Sequence, residues 1–81
     1  MRPEDFLLLL RARPFVPFRV YMSNGTEYDV RHPEFALVGR STVVIGIPGP
    51  RGPEGPATRL LNCSLVHIVR TEPLDGPMAA T

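Results

Sequence analysis

The segment from Phe18 to Val30 constrains the fold most, because it has the pattern of a β-hairpin that fits one register well. A two-residue turn at Asn24-Gly25 would place carboxylates opposite apolar side chains on the same face of the hairpin. A three-residue loop over 23–25, with Gly25 in the left-handed conformation, separates the two kinds of side chain. We therefore predict the three-residue loop.

This loop determines which side chains share a face of the hairpin. It pairs Phe18 with Val30 and places Arg19 opposite Asp29, so we predict a cross-strand ion pair between the two charged residues. The other face of the hairpin is predicted to pack on the core, and it carries Phe18, Val20, Met22, Tyr28 and Val30.

A helix is predicted ahead of the hairpin, from Pro3 to Arg13. Pro3 suits a first-turn position, acidic residues follow it, arginines close the segment and Pro14 ends it. One face of this helix is formed by Phe6, Leu9, Leu10 and Arg13. The leucines at positions 7 and 8 lie outside that face, so the helix has more apolar surface than one packing contact needs. We expect it to dock on the domain and to keep surface for a second contact.

The remainder of the chain predicts further short strands. Pro33 lacks an amide donor, so the second strand is expected to bend at 31–34 and to resume over 35–38. Apolar stretches predict three more strands, over 41–47, 59–62 and 65–71. The predicted fold class is mainly β with one N-terminal α-helix. Five strands in so short a chain curl most simply into a small, strongly bent barrel, or join strands across subunits.

Residues 46–57 consist of four consecutive Gly-X-Y triplets. That period is typical of collagen, but four triplets close few bonds between chains, and the same composition is typical of a flexible polyproline-like loop. We predict a Gly/Pro-rich loop at 46–57 inside a single helix-plus-barrel domain over residues 1–73. Residues 74–81 are expected to form a flexible C-terminal tail.

Charge and cysteine content exclude several classes of protein. The charges of the 9 basic and 8 acidic residues nearly cancel, so any anion-binding site must be formed by a local group of basic residues. The single cysteine, Cys63, cannot form an internal disulfide, which favours a reducing compartment. The acidic start is unlike a secretory leader, and no apolar run reaches the ~20 residues of a membrane span. We expect a cytoplasmic protein without a membrane partner.

Neither catalysis nor metal binding is indicated by the residue pattern. His32, Cys63 and His67 are the softer metal ligands available, and their spacing matches no zinc motif. No phosphate-binding glycine loop precedes a helix, and no G-x-S-x-G sequence occurs. We therefore expect no cofactor and no enzymatic activity.

The helix, its Pro-containing link and the strand that follows resemble the opening of the bacterial Sm-like (Hfq-type) family. The resemblance rests on residues 16–25, which read V-P-F-R-V-Y-M-S-N-G here and V-P-x-x-I-Y-L-x-N-G in that family. It implies a five-stranded Sm-like, SH3-like barrel in a ring of identical subunits. The fourth and fifth strands would join the subunits edge to edge, and the ring would bind single-stranded RNA. In the turn before the last strand the family carries a Lys-His pair, where this chain has Asn62-Cys63-Ser64.

The chain also resembles a set of short bacterial proteins that begin M-R-P-E-D-F and contain R-P-F-x-P-F-R and R-H-P-E. That likeness covers more of the chain, and it implies no particular function.

Two functions of different classes follow from the sequence. The first is an oligomeric Sm-like barrel that binds single-stranded RNA, with Arg11, Arg13, Arg19 and Arg40 as phosphate contacts and Phe35 or Tyr21 as a stacking surface. The second is a non-catalytic interaction or structural module that recruits a protein partner through the surplus leucines of the helix and through unpaired strand edges.

Overall fold

A computed structural model describes residues 1–74, which form one α-helix and six β-strands in two antiparallel sheets. The elements are α1 (Pro3–Arg11), β1 (Phe18–Met22), β2 (Glu27–Val30), β3 (Ala36–Val38), β4 (Thr42–Gly49), β5 (Gly52–Ser64) and β6 (Ile68–Pro73). Short 3-10 turns, Pro33–Phe35 and Leu65–His67, precede β3 and β6. One sheet has the strand order β2-β1-β6 and the other has the order β3-β4-β5. The predicted mainly β fold with one N-terminal helix is confirmed.

Helix α1 forms as predicted but ends two residues earlier, at Arg11. Ala12 is already extended, and Pro14 disfavours helical backbone in the residue before it. Phe6 and Leu10 are buried, and the ring of Phe6 meets that of Phe18 edge-on with centroids 5.5 Å apart. The helix is therefore held by one apolar face over the core.

The β1–β2 hairpin has the predicted register. Phe18 pairs with Val30, Arg19 pairs with Asp29, and the Met22 amide donates to the Thr26 carbonyl at 2.9 Å. Gly25 has a φ of +92°, the left-handed conformation that the three-residue loop requires. Phe18, Val20 and Val30 are buried on the predicted face, with Met22 and Tyr28 half-buried beside them.

The predicted bend of the second strand divides it between the two sheets. β2 pairs with β1, whereas β3 pairs with β4, and the 3-10 turn that begins at Pro33 separates them. A proline at this point cannot donate to a ladder, so the pairing ends where the chain turns.

Residues 46–57 are a hairpin extension, where the sequence predicted a Gly/Pro-rich loop. β4 runs to Gly49 and β5 begins at Gly52, whose φ of +66° closes a tight turn at Pro50-Arg51. β5 is an edge strand, so only alternate amides join a ladder and prolines are tolerated there. The register shifts around Pro48, which accommodates the proline-rich portion by local irregularity. Composition alone therefore misassigned this segment.

The core lies between the two sheets and beneath α1. Its buried residues are Phe6, Leu10, Phe18, Val20, Val30, Val43, Ile45, Cys63, Leu65 and Ile68. The amino group of Met1 donates to the Leu65 carbonyl at 2.9 Å, which fixes the start of the helix beside the second 3-10 turn.

Within residues 1–74 the strands form two separate small sheets, without the closure of the predicted barrel. The predicted tail lies outside the described residues except for Leu74, whose amide donates to the Pro17 carbonyl.

Candidate interaction surfaces

The exposed face of the β2-β1-β6 sheet carries an ion-pair network centred on Arg19. Its Nε donates to Asp29 Oδ1 at 2.7 Å, and Nη1 lies 3.7 Å from Glu27 Oε1. Arg31 approaches the same Asp29 carboxylate at 3.5 Å. The hydrogen bond from Arg19 holds the pKa of Asp29 below its ordinary value, and the same bond raises the pKa of Arg19. Arg19, which the sequence predicted to contact phosphate, therefore forms ion pairs with two carboxylates of its own chain.

Tyr21, predicted as a stacking surface, lies beside a second network on the same face. The guanidinium carbon of Arg70 is 3.9 Å from the centroid of the Tyr21 ring. The Tyr21 hydroxyl donates to Glu72 Oε1 at 3.1 Å, and Arg70 donates to Glu72 Oε2 at 2.7 Å. The hydrogen bond from Arg70 lowers the pKa of Glu72. One face of the tyrosine ring is thus already covered by a cation, as in a cation–π pair.

The other predicted phosphate contacts lie at opposite ends of α1. Arg11 is the last helical residue, and Arg13 follows it with Nη1 donating to the Ala12 carbonyl. Arg40 lies in the turn between β3 and β4, next to Ser41, whose carbonyl accepts the Leu65 amide. Leu65 in turn binds the amino group at the start of the helix. The backbone beside Arg40 is therefore near the beginning of α1, about 13 Å of helix away from Arg11.

Phe35 lies apart from the candidate arginines and from Tyr21, on the outer face of the β3-β4-β5 sheet. Its ring is half-buried, and it meets His32 edge-on with centroids 6.1 Å apart. The six candidate site residues consequently do not converge on one surface.

A polar depression that the sequence did not indicate lies beside the hairpin loop. Its volume is about 380 Å³, and its lining includes Ser23, Asn62, Cys63 and His67. Ser23 Oγ is 3.4 Å from His67 Nδ1, but no carboxylate among the lining residues orients the imidazole. Burial raises the pKa of the Cys63 thiol, which disfavours the nucleophilic thiolate form.

An apolar groove, here called the outer groove, crosses the outer face of the β3-β4-β5 sheet. It measures about 350 Å³ and is formed by Phe35, Leu37, Val44, Gly46, Ala57 and Leu60. A side chain at Gly46 would approach the Phe35 ring at 3.2 Å, so the glycine keeps the floor of the groove open. Leu37 and Leu60 form its two lips and are 74% and 73% exposed. Exposed leucines grouped in this way are typical of a contact surface.

The outer edge of β5 presents unpaired backbone groups. The Leu65 amide donates to the Ser41 carbonyl, and the antiparallel register continues through Val43 and Cys63. Hydrogen-bonded pairs alternate in such a ladder, so the amides of Leu60 and Asn62 point away from β4. The prolines of β5 lie nearer the hairpin tip. The open part of the β5 edge is therefore residues 59–64, where alternate amides point outward.

The outer edge of β6 is open in the same way. The Leu74 amide donates to the Pro17 carbonyl, and the same register pairs Val20 with Thr71. Alternation along this ladder directs the Thr71 amide away from β1. Val66 and Val69 lie beside this edge and are 77% and 60% exposed. β5 and β6 are therefore edge strands of different sheets, and exposed apolar side chains flank each of them.

Within residues 1–74, no group of three or more potential metal ligands is present. No helix in this part of the chain has the length and apolar character needed to cross a bilayer. Comparison with protein-family models, with curated proteins and with solved structures finds no match to this chain.

Proposed function

We propose that this protein is a non-catalytic interaction module that assembles with copies of itself through the open edges of β5 and β6. The β5 edge of one copy would pair with the β6 edge of the next. The observation that carries the proposal is the free backbone of residues 59–64, with the Leu60 and Asn62 amides directed outward. An edge strand with such amides and little charge is a template for another strand.

The lengths of the two edges are compatible with this pairing. β6 spans Ile68–Pro73 and ends at a proline, and the part of β5 that follows its prolines is of similar length. Val66 and Val69 beside the β6 edge would become buried when the strands meet. Such a contact joins two different surfaces, so it closes into a ring or extends into a chain of subunits.

The strand order supports the finer expectation of a strongly bent Sm-like barrel. Pairing runs from β6 through β1 to β2, the chain bends at the 3-10 turn, and pairing then runs from β3 through β4 to β5. This is the order of a five-stranded barrel whose second strand is bent, opened between its two terminal strands. Pairing between subunits would close each opening.

The proposal is tested by mass measurement on the full chain and on Asn62→Pro. This substitution removes an outward amide and leaves the ladder to β4 intact, so the variant keeps its fold by circular dichroism. We expect the parent to exceed its monomer mass of 9.0 kDa in light scattering and Asn62→Pro to have a smaller mass than the parent.

Glu27→Pro is the matched control, because residue 27 lies on the edge of β2, which the proposal does not use. We expect it to retain the mass of the parent. A parent protein that is monomeric at several hundred micromolar, or a control that dissociates as fully as Asn62→Pro, contradicts the proposal.

Binding of single-stranded RNA is the second candidate, and the unpaired arginines favour it. Arg11, Arg13 and Arg40 are exposed and form no ion pair with another residue of the described segment 1–74. In an assembly, arginines from several copies would lie on one surface and could contact successive phosphates. Oligo-U binding that weakens steeply with salt and is lost in an Arg11/Arg13 double substitution supports this function. An assembly that ignores oligo-U at low salt excludes it.

A further inference from the structure

The exposed side of α1 carries a leucine between two opposite charges. Glu4, Leu8 and Arg11 follow the i, i+4, i+7 spacing of one helical stripe, and all three are exposed. Leu8 is 70% exposed, although the buried Phe6 and Leu10 hold the opposite face of the same helix. Neither Glu4 nor Arg11 forms an ion pair within residues 1–74. This stripe therefore has no partner in its own chain among the described residues.

The outer groove has the complementary arrangement of charge. Glu34 lines the groove beside Phe35, and Arg40 follows Leu37 by three residues in the chain, in the turn after β3. Both charged residues are exposed, and neither is in an ion pair with any residue of 1–74. Along the chain, an acidic residue, the apolar residues of β3 and a basic residue thus follow one another.

We propose that the outer groove binds helix α1 of a second copy of this chain. Leu8 of that helix would enter between Leu37 and Leu60, with Arg11 directed to Glu34 and Glu4 directed to Arg40. Glu4 and Arg11 are about 10 Å apart along the helix axis, and the long arginine side chains span the remaining distance to the groove ends. An amphipathic helix in an apolar groove, oriented by charges at both ends, is a recurrent form of recognition.

The helix must come from another copy because the chain's own α1 is on the wrong side of the sheet. Phe6 and Leu10 bury it against the core, with Val43 and Ile45 of β4 in the same cluster. The outer groove is on the opposite face of β4, which carries Val44 and Gly46. This contact uses neither open edge, so it goes beyond the assembly proposed above and does not depend on it.

The test is a charge exchange in the Asn62→Pro background, where strand pairing at the β5 edge is blocked. Self-association is followed by sedimentation equilibrium for Arg11→Glu, for Glu34→Arg and for the two substitutions combined. We expect each single substitution to raise the dissociation constant about tenfold and the combination to return it to within about threefold of the background. Arg13→Glu is the matched control, because Arg13 lies beyond the helix, and it should leave the constant unchanged.

Three results would overturn the helix–groove contact: a background variant that stays monomeric to millimolar concentration, single substitutions without effect, or a combined variant as weak as the single ones. Strand pairing is judged separately, by the difference in mass between the parent and Asn62→Pro. Failure of one contact therefore does not imply failure of the other. If Asn62→Pro does not fold, Val69→Lys blocks the β6 edge in its place.

Discussion

At Gly25, a single backbone conformation determines the register of the first hairpin. A Cβ added at this position would have no atom within 4 Å, so a larger residue would be disfavoured by its φ of +92° and not by crowding. The register could be predicted because one alignment alone keeps Arg19 with Asp29 and the apolar residues together. The contact of Arg70 with the Tyr21 ring was not predictable, since β6 and β1 are far apart in sequence.

Replacing Gly25 by valine should lower the free energy of unfolding by about 1–2 kcal/mol, because a β-branched residue is forced to positive φ. Urea denaturation measures the change. Gly25→Asn is the control, because asparagine tolerates the left-handed region, and it should cost clearly less. Equal stability of the valine variant and the parent would contradict the three-residue loop.

Asp29 should make the protein sensitive to acid. Its pKa is lowered in the folded state by the hydrogen bond from Arg19, so its contribution to stability is complete above the unfolded value of about 3.9 and is lost as the pH falls through the folded pKa. In urea titrations below about pH 4, Asp29→Asn should therefore lose less stability than the parent does. Glu54→Gln, a change at an exposed carboxylate without an ion pair among residues 1–74, should follow the parent. Identical acid profiles for Asp29→Asn and the parent would exclude this role.

At the scale of elements, the sequence correctly predicted the helix and strands whose apolar side chains recur periodically. It misassigned the segment 46–57, whose composition is unusual. The helix, the first hairpin and the bend at Pro33 all follow from local rules about apolar spacing and proline. Residues 46–57 were read as a loop from their glycine and proline content. Their pairing depends on β5 being an edge strand, which is a property of the whole sheet and not of the segment.

The hairpin extension makes a specific prediction for NMR. Ile47 and Arg59 are paired across β4 and β5, so nuclear Overhauser contacts between their backbone protons should be observed. The backbone protons of the residues nearer the turn should show fewer such contacts, because the register of β4 and β5 is irregular there. Random-coil shifts throughout 46–57, with no contact between these two residues, would restore the loop interpretation.

At the scale of the whole molecule, the candidate site could not be predicted from the sequence. Arg11, Arg19, Arg40 and Phe35 are separated because the helix, the two sheets and the turns place them in different directions. The ion pair of Arg19 with Asp29 follows from the hairpin register and was predictable, whereas the surroundings of Arg11, which meets no carboxylate within residues 1–74, depend on the whole fold. The features that the structure adds, two open edges and an apolar groove, are properties of assembled sheets.

In the proposed assembly, strands β5 and β6 of neighbouring copies pair through their open edges. Amide hydrogen exchange at Leu60, Asn62 and Thr71, measured at low and high protein concentration, tests it most directly. We expect these three amides to exchange rapidly in dilute solution and to become protected as the concentration rises, while the internal Cys63 amide is protected throughout. Rapid exchange at all three positions in concentrated solution would contradict it.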